Sequence, residues 1–278
     1  MKKVTILTIC MTLFSFMTYA QNYNFNGSIS REVLDNYLDR AITMQGQSNI
    51  EGSLLLSETE RQRNISMIDN IEAKFIGRIG GWWENGWGQT NHDNFFLKVQ
   101  LNVSDIKAND SQVICQSAIF EYVSETVNTF WIPEWVYDEF GLSYASDPDD
   151  VVRKFNFSQM TYDNYPDNST YKTSWGGVVG SSHPAVPDIT KLETQMWFYY
   201  MARRYINVGI EAIHFGQAEI MNKEDIGNKS WWELLERIRT YSISKNRGVV
   251  ICDAHVPSGV MYYEPYLYIS NTSWYNYN

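Results

Sequence analysis

Four stretches of the chain run apolar and then end in a burst of polar and aromatic residues. They are Ala73–Glu84, Gln112–Glu121, Ile210–Glu219 and Gly248–His255. Each follows a segment with helical spacing of apolar positions. Ser30 precedes Val33, Leu34, Tyr37, Leu38, Ala41 and Ile42 on one helical face, and residues 21–28 read as a frayed polar start. Ser57 and Glu60 have the spacing of a capping box ahead of Ile65, Ile68 and Ile71. Asp93 opens a helix carrying Phe96, Val99, Val103 and Ile106. Asp188 opens another through Leu192, Met196, Tyr199 and Arg203, and a second capping-box spacing, Ser230 with Glu233, precedes Trp231, Leu234, Leu235 and Ile238. Pro133 suits the start of a short helix that Gly141 ends.

Near-continuous apolar strands alternating with amphipathic helices predict an α/β fold with a parallel sheet. Acids and aromatics bunched after each strand match the C-terminal rim of a (β/α) barrel, where such folds keep their sites. Only four clear units are visible, whereas a closed barrel needs eight. The expectation is a TIM-type barrel over 21–258, incomplete at its C-terminus. Residues 142–187 form a long aperiodic loop, and 259–278 form an atypical Tyr/Asn-rich tail.

The first twenty residues read as a signal peptide. Lys2 and Lys3 precede an apolar run, and Thr18-Tyr-Ala20 is a plausible cleavage site. The run is too short for a membrane span, so the expected location is secreted or periplasmic. From residue 21 onward the balance is 20 basic to 32 acidic residues, with no basic cluster. That argues against a nucleic acid partner. Cys115 and Cys252 sit inside apolar strands, where cysteine behaves as a small hydrophobe; an oxidising compartment would also permit a disulfide.

Glu84, Glu121, Glu219 and Asp253 are the acids at or near strand ends. Two carboxylates across a bound sugar suffice for glycoside hydrolysis, and Glu121 and Glu219 are the proposed catalytic pair. Trp82, Trp83 and Trp87 in a glycine-rich loop offer a wall for a flat ligand; that loop has neither a phosphate-loop ending nor a dinucleotide spacing. Alternation on the third strand points His214 inward, near Gln217, while Ile213 and Phe215 face helices. With Asp253 and His255 these residues complete the expected substrate-binding set. Arg78, expected inside the barrel, calls for a carboxylate partner, Glu121 or Asp253. No cofactor motif is present. Two other readings stand beside hydrolysis: a non-catalytic glycan-binding or surface-assembly protein, and a metal-dependent hydrolase using His214, Asp253 and His255.

The segments Gln116–Glu121, Val186–Tyr200, His214-Phe-Gly-Gln217 and Cys252-Asp-Ala-His255 resemble a group of uncharacterised secreted bacterial proteins that look like TIM-barrel glycoside hydrolases. The resemblance covers roughly residues 30–258 and implies a barrel, a crater at the strand ends and an oligosaccharide or polysaccharide substrate. Members of that group continue past the Asp-Ala-His strand. The tail of this chain departs from that continuation, which implies a truncated or frame-shifted end.

Overall fold

The computed structural model describes residues 21–49, 55–82, 89–143, 153–162, 185–256, 260–263 and 266–270. The expected leader, the loop holding Trp83, Glu84 and Trp87, and most of 142–187 lie outside these residues.

Five parallel strands form one sheet in simple sequential order, β1-β2-β3-β4-β5. They are Ala41–Thr43, Phe75–Trp82, Ile114–Ile119, Ala212–Phe215 and Ile251–Ala254. Helices α2 (Glu58–Asn70), α3 (Gln89–Asn109), α5 (Leu192–Asn207) and α7 (Lys229–Ser242) lie between successive strands, with the short α4 (Glu134–Glu139) ahead of α5 and α6 (Ala218–Met221) ahead of α7, while α1 (Arg31–Leu38) precedes the sheet. Each strand therefore pairs with its neighbour in sequence after a helical crossover. This is the winding of a (β/α) barrel, here an arc of five strands.

Alternation along the strands separates two apolar clusters. Ile76, Ile79, Cys115, Ile119, Ile213, Phe215, Cys252 and Ala254 join the helices in the larger core. Phe75, Ile114, Ala212 and Ile251 point to the other face, the inside of the arc. There α1 closes the N-terminal mouth of the arc with Val33, Leu34 and Tyr37. The segment before α1 is not frayed: Tyr23 is buried and packs edge-on to Tyr37, with ring centroids 5.1 Å apart.

Several helix boundaries differ from the sequence expectation. Ser30 does cap α1, accepting from Val33 N. The helix stops at Leu38, however, and Ala41–Thr43 pairs with β2 as a strand too short to be seen by periodicity. The Ser57/Glu60 capping box is present. The second expected box is not: the residue before α7 is Asn228 in a left-handed conformation, and the first-turn amides of Ser230 and Trp231 donate to Asp225. Asp188 likewise lies ahead of α5, accepting from Thr190 N at 2.9 Å. The tail supplies no further β/α unit among the described residues. β6 (Val260–Tyr263) and β7 (Tyr266–Ser270) pair antiparallel in a separate two-stranded sheet.

Cys115 and Cys252 are both free and buried. Burial pushes both thiols up to about 12, so neither supplies a thiolate at neutral pH.

Candidate functional site

The inner face of the arc changes character along its length. Its N-terminal layer is apolar. One step further on, β2 to β5 each contribute a polar side chain: Arg78, Gln116, His214 and Asp253. His214 and Asp253 are register partners on β4 and β5. His214 Nδ1 lies 2.7 Å from Asp253 Oδ2, and Gln116 Nε2 donates to Asp253 Oδ1 at 2.5 Å. Arg78 Nη2 lies 3.3 Å from His214 Nε2.

These contacts fix the imidazole tautomer. A guanidinium has only N–H donors. His214 Nε2 must therefore be the acceptor, and Nδ1 carries the proton that it donates to Asp253. The ring is held from both sides as a neutral relay between a cation and a carboxylate. The expected direct ion pair is absent: among the described residues Arg78 has no carboxylate within 4.0 Å, Glu121 and Asp253 included. Asp253 is committed to His214 and Gln116 instead.

Arg78 reaches this face through an irregularity in β2. Ile76 pairs with Cys115 and Gly80 with Ser117, so four steps along β2 match two along β3. Arg78 occupies the bulge with φ +58°. Strict alternation would place it with Ile76, toward the helices. The left-handed backbone turns it inward. Non-glycine residues at such angles are strained by about 1–3 kcal/mol and concentrate at functional sites.

Glu121 follows β3 and is 4% exposed. Both of its oxygens are occupied by one residue: Gln217 N donates to Oε2 at 3.0 Å and Gln217 Nε2 to Oε1 at 2.8 Å. This fit depends on Gly216. A Cβ there would stand 1.7 Å from Glu121 Oε2, so the carboxylate lies directly over the glycine. Glu219 is partly buried on the one-turn helix α6 (Ala218–Met221). His255 lies just past β5, and its side chain is exposed. Its backbone N–H donates to Gly216 O at 2.8 Å, which ties the ends of β4 and β5 together. Trp82 is the last residue of β2.

The structure thus joins Glu121 to Gln217 and His214 to Asp253. Sequence reasoning did not single out Gln116, whose amide completes the Asp253 shell; its place on the inward face of β3, in step with Ile114, was the available signal. The metal reading finds no assembled donor set. Among the described residues no three His, Cys, Asp or Glu side chains form a cation site, and both ring nitrogens of His214 are already engaged.

No protein-family model matches the chain, and no curated protein sequence matches it. Among solved structures, a mutant of trehalulose synthase is similar at 10% sequence identity with a TM-score of 0.41. The match covers 77% of this chain and 44% of that one, so the chain spans less than half of that structure's length.

Proposed function

We propose that this chain is an exported carbohydrate-active protein of glycoside-hydrolase type, with its ligand at the C-terminal ends of β2 to β5. One observation carries the reading: four successive parallel strands each send one polar side chain to a common inner face, and they form a single hydrogen-bonded row. The C-terminal end of such strands is where barrel enzymes act on substrate. Row and rim offer carboxylates in contrasting settings. Glu121 is buried and doubly hydrogen-bonded, Glu219 is partly exposed, and Asp253 backs a histidine. Hydrolysis of a glycosidic bond needs two carboxyl groups in different environments. In this reading Glu121 and Glu219 are the catalytic pair. The leader-like start of the sequence supports export, and the tryptophan-rich loop after β2 would serve as a sugar platform.

A hydrolysis screen against neutral and acidic oligosaccharides tests this, using the full chain beside Glu121→Gln and Glu219→Gln. Each variant should lose about 100-fold or more in turnover if the residue handles a proton. Equal turnover in both variants would remove them from the mechanism. A second reading is favoured by how tightly Gln217 holds Glu121: a glycan-binding protein in which that carboxylate only shapes the rim. Its mark is sugar binding without turnover that persists in Glu219→Gln.

A further inference from the structure

We infer that the Arg78 guanidinium is the subsite for an oxyanion on the glycan, either the carboxylate of a uronic acid or a sugar phosphate. The inference rests on the carbohydrate reading above and names its substrate class.

Arg203 is held over the Trp135 and Tyr241 rings, and several other partly buried arginines meet carboxylates: Arg61 meets Glu58 and Asp105, Arg153 meets Glu193, and Arg247 meets Glu211. Arg78 does not. Among the described residues its polar partner is His214 Nε2, a neutral acceptor. A guanidinium has five N–H donors, so one bond leaves most of them without an acceptor among the described residues. The two carboxylates that the sequence suggests as partners for Arg78 are turned to other tasks. Asp253 is held by His214 and Gln116, and both oxygens of Glu121 are held by Gln217.

This state is built rather than incidental. A two-residue bulge and a left-handed backbone bring Arg78 to the inner face, at an energetic cost the fold must offset elsewhere. His214 then fixes the guanidinium, and Asp253 fixes His214. A planar fork with free parallel N–H groups matches carboxylate and phosphate oxygens in a bidentate fashion. A neutral sugar hydroxyl would leave the positive charge uncompensated.

The test is calorimetric binding of three probes to the full chain: a trisaccharide of hexuronic acid, its carboxyl-reduced neutral counterpart, and a hexose 6-phosphate. A charge-assisted hydrogen-bond pair is worth roughly 1.5–3 kcal/mol, or about tenfold to a hundredfold in affinity. At least one acidic probe should bind about tenfold or more tightly than the neutral sugar, and which one does so separates carboxylate from phosphate. Arg78→Gln should abolish the preference for the acidic probe over the neutral sugar, and Arg78→Lys should keep part of it. Should Arg78→Gln fail to fold, Arg78→Gly fits the left-handed backbone and serves in its place. Equal affinity for acidic and neutral sugars, or a preference that survives loss of Arg78, overturns the inference. Binding of no sugar at all, with acetate or inorganic phosphate still bound through Arg78, defeats the carbohydrate reading and keeps the oxyanion site. Binding of neither defeats both.

Discussion

The two ends of the sheet handle buried charge in opposite ways. At the N-terminal end Glu211 is 1% exposed, yet it is fully met. Lys107 donates at 2.6 Å, and Arg247 makes two bonds at 2.7 and 2.6 Å. Arg247 also donates to Tyr37 and lies over the Phe25 ring. At the C-terminal end Arg78 is strained and has a neutral histidine for a partner. Complete pairing belongs to the end that seals the arc, and incomplete pairing to the end where the ligand site is proposed. In barrel folds the corresponding division is between a stabilising N-terminal face and a functional C-terminal face. What distinguishes them here is which end satisfies its own charges.

The largest effect should come from the sealed end. Glu211→Ala leaves Lys107 and Arg247 without their carboxylate. Removing one member of a buried ionic cluster costs about 3–5 kcal/mol; about 3 is expected, because both cations keep roughly a fifth of their side-chain surface in water. Denaturant unfolding measures it, and a loss under about 1 kcal/mol would erase the contrast between the ends. The same group sets an acid dependence. Burial would raise the Glu211 carboxyl, but the hydrogen bond from Arg247 and the charge of Lys107 outweigh it and leave it below its ordinary 4.5. The unfolded chain therefore takes up this proton first. Stability from Glu211 is complete above about pH 4.5 and is lost as pH falls through the folded value, at no more than about 1.4 kcal/mol per pH unit. Glu211→Gln should flatten that part of the pH–stability curve.

A middle-sized effect is expected at Gly216. Gly216→Ala drives a methyl group into the Glu121 carboxylate and should cost about 1–3 kcal/mol, as overpacking does. Adding Glu121→Ala should recover much of that loss, since the clash and its partner are removed together. A double-mutant cycle reads this coupling; additive losses would show that Gly216 matters for another reason.

The smallest effect, and the one of opposite sign, belongs to Arg78. Arg78→Gly relieves the left-handed backbone of about 1–3 kcal/mol of strain and gives up about 0.5–1 kcal/mol through the freer unfolded chain. A gain of about 1 kcal/mol in stability together with lost oxyanion binding would mark a trade of stability for function. A clear destabilisation would instead make Arg78 a structural residue like Arg247.

Much of the architecture was legible in the chain. Apolar runs at Phe75, Ile114, Ala212 and Ile251 specified parallel strands, because a sheet buried on both faces has no polar side to alternate with. His214 was placed inward by the same logic that sends Ile213 and Phe215 to the helices, and the Ser57/Glu60 cap was readable because its partners are three residues apart. β1 escaped notice because three residues carry no period. The Tyr23 segment read as polar although its ring is buried, because that burial depends on α1 and the sheet meeting over it.

Sequence alone determined the strand–helix alternation, the inward histidine and the gathering of acids near strand ends, all consequences of spacing along one chain. Tertiary structure decided the rest. Arg78 was expected inside the barrel, but only the pairing of β2 with β3 reveals the bulge and left-handed backbone that bring it there. Only the meeting of four strands shows that Asp253 serves His214 and Gln116, not the arginine. The physical reason is that register and the allocation of a shared acceptor depend on several strands at once, and local spacing cannot encode which of several donors reaches a carboxylate first.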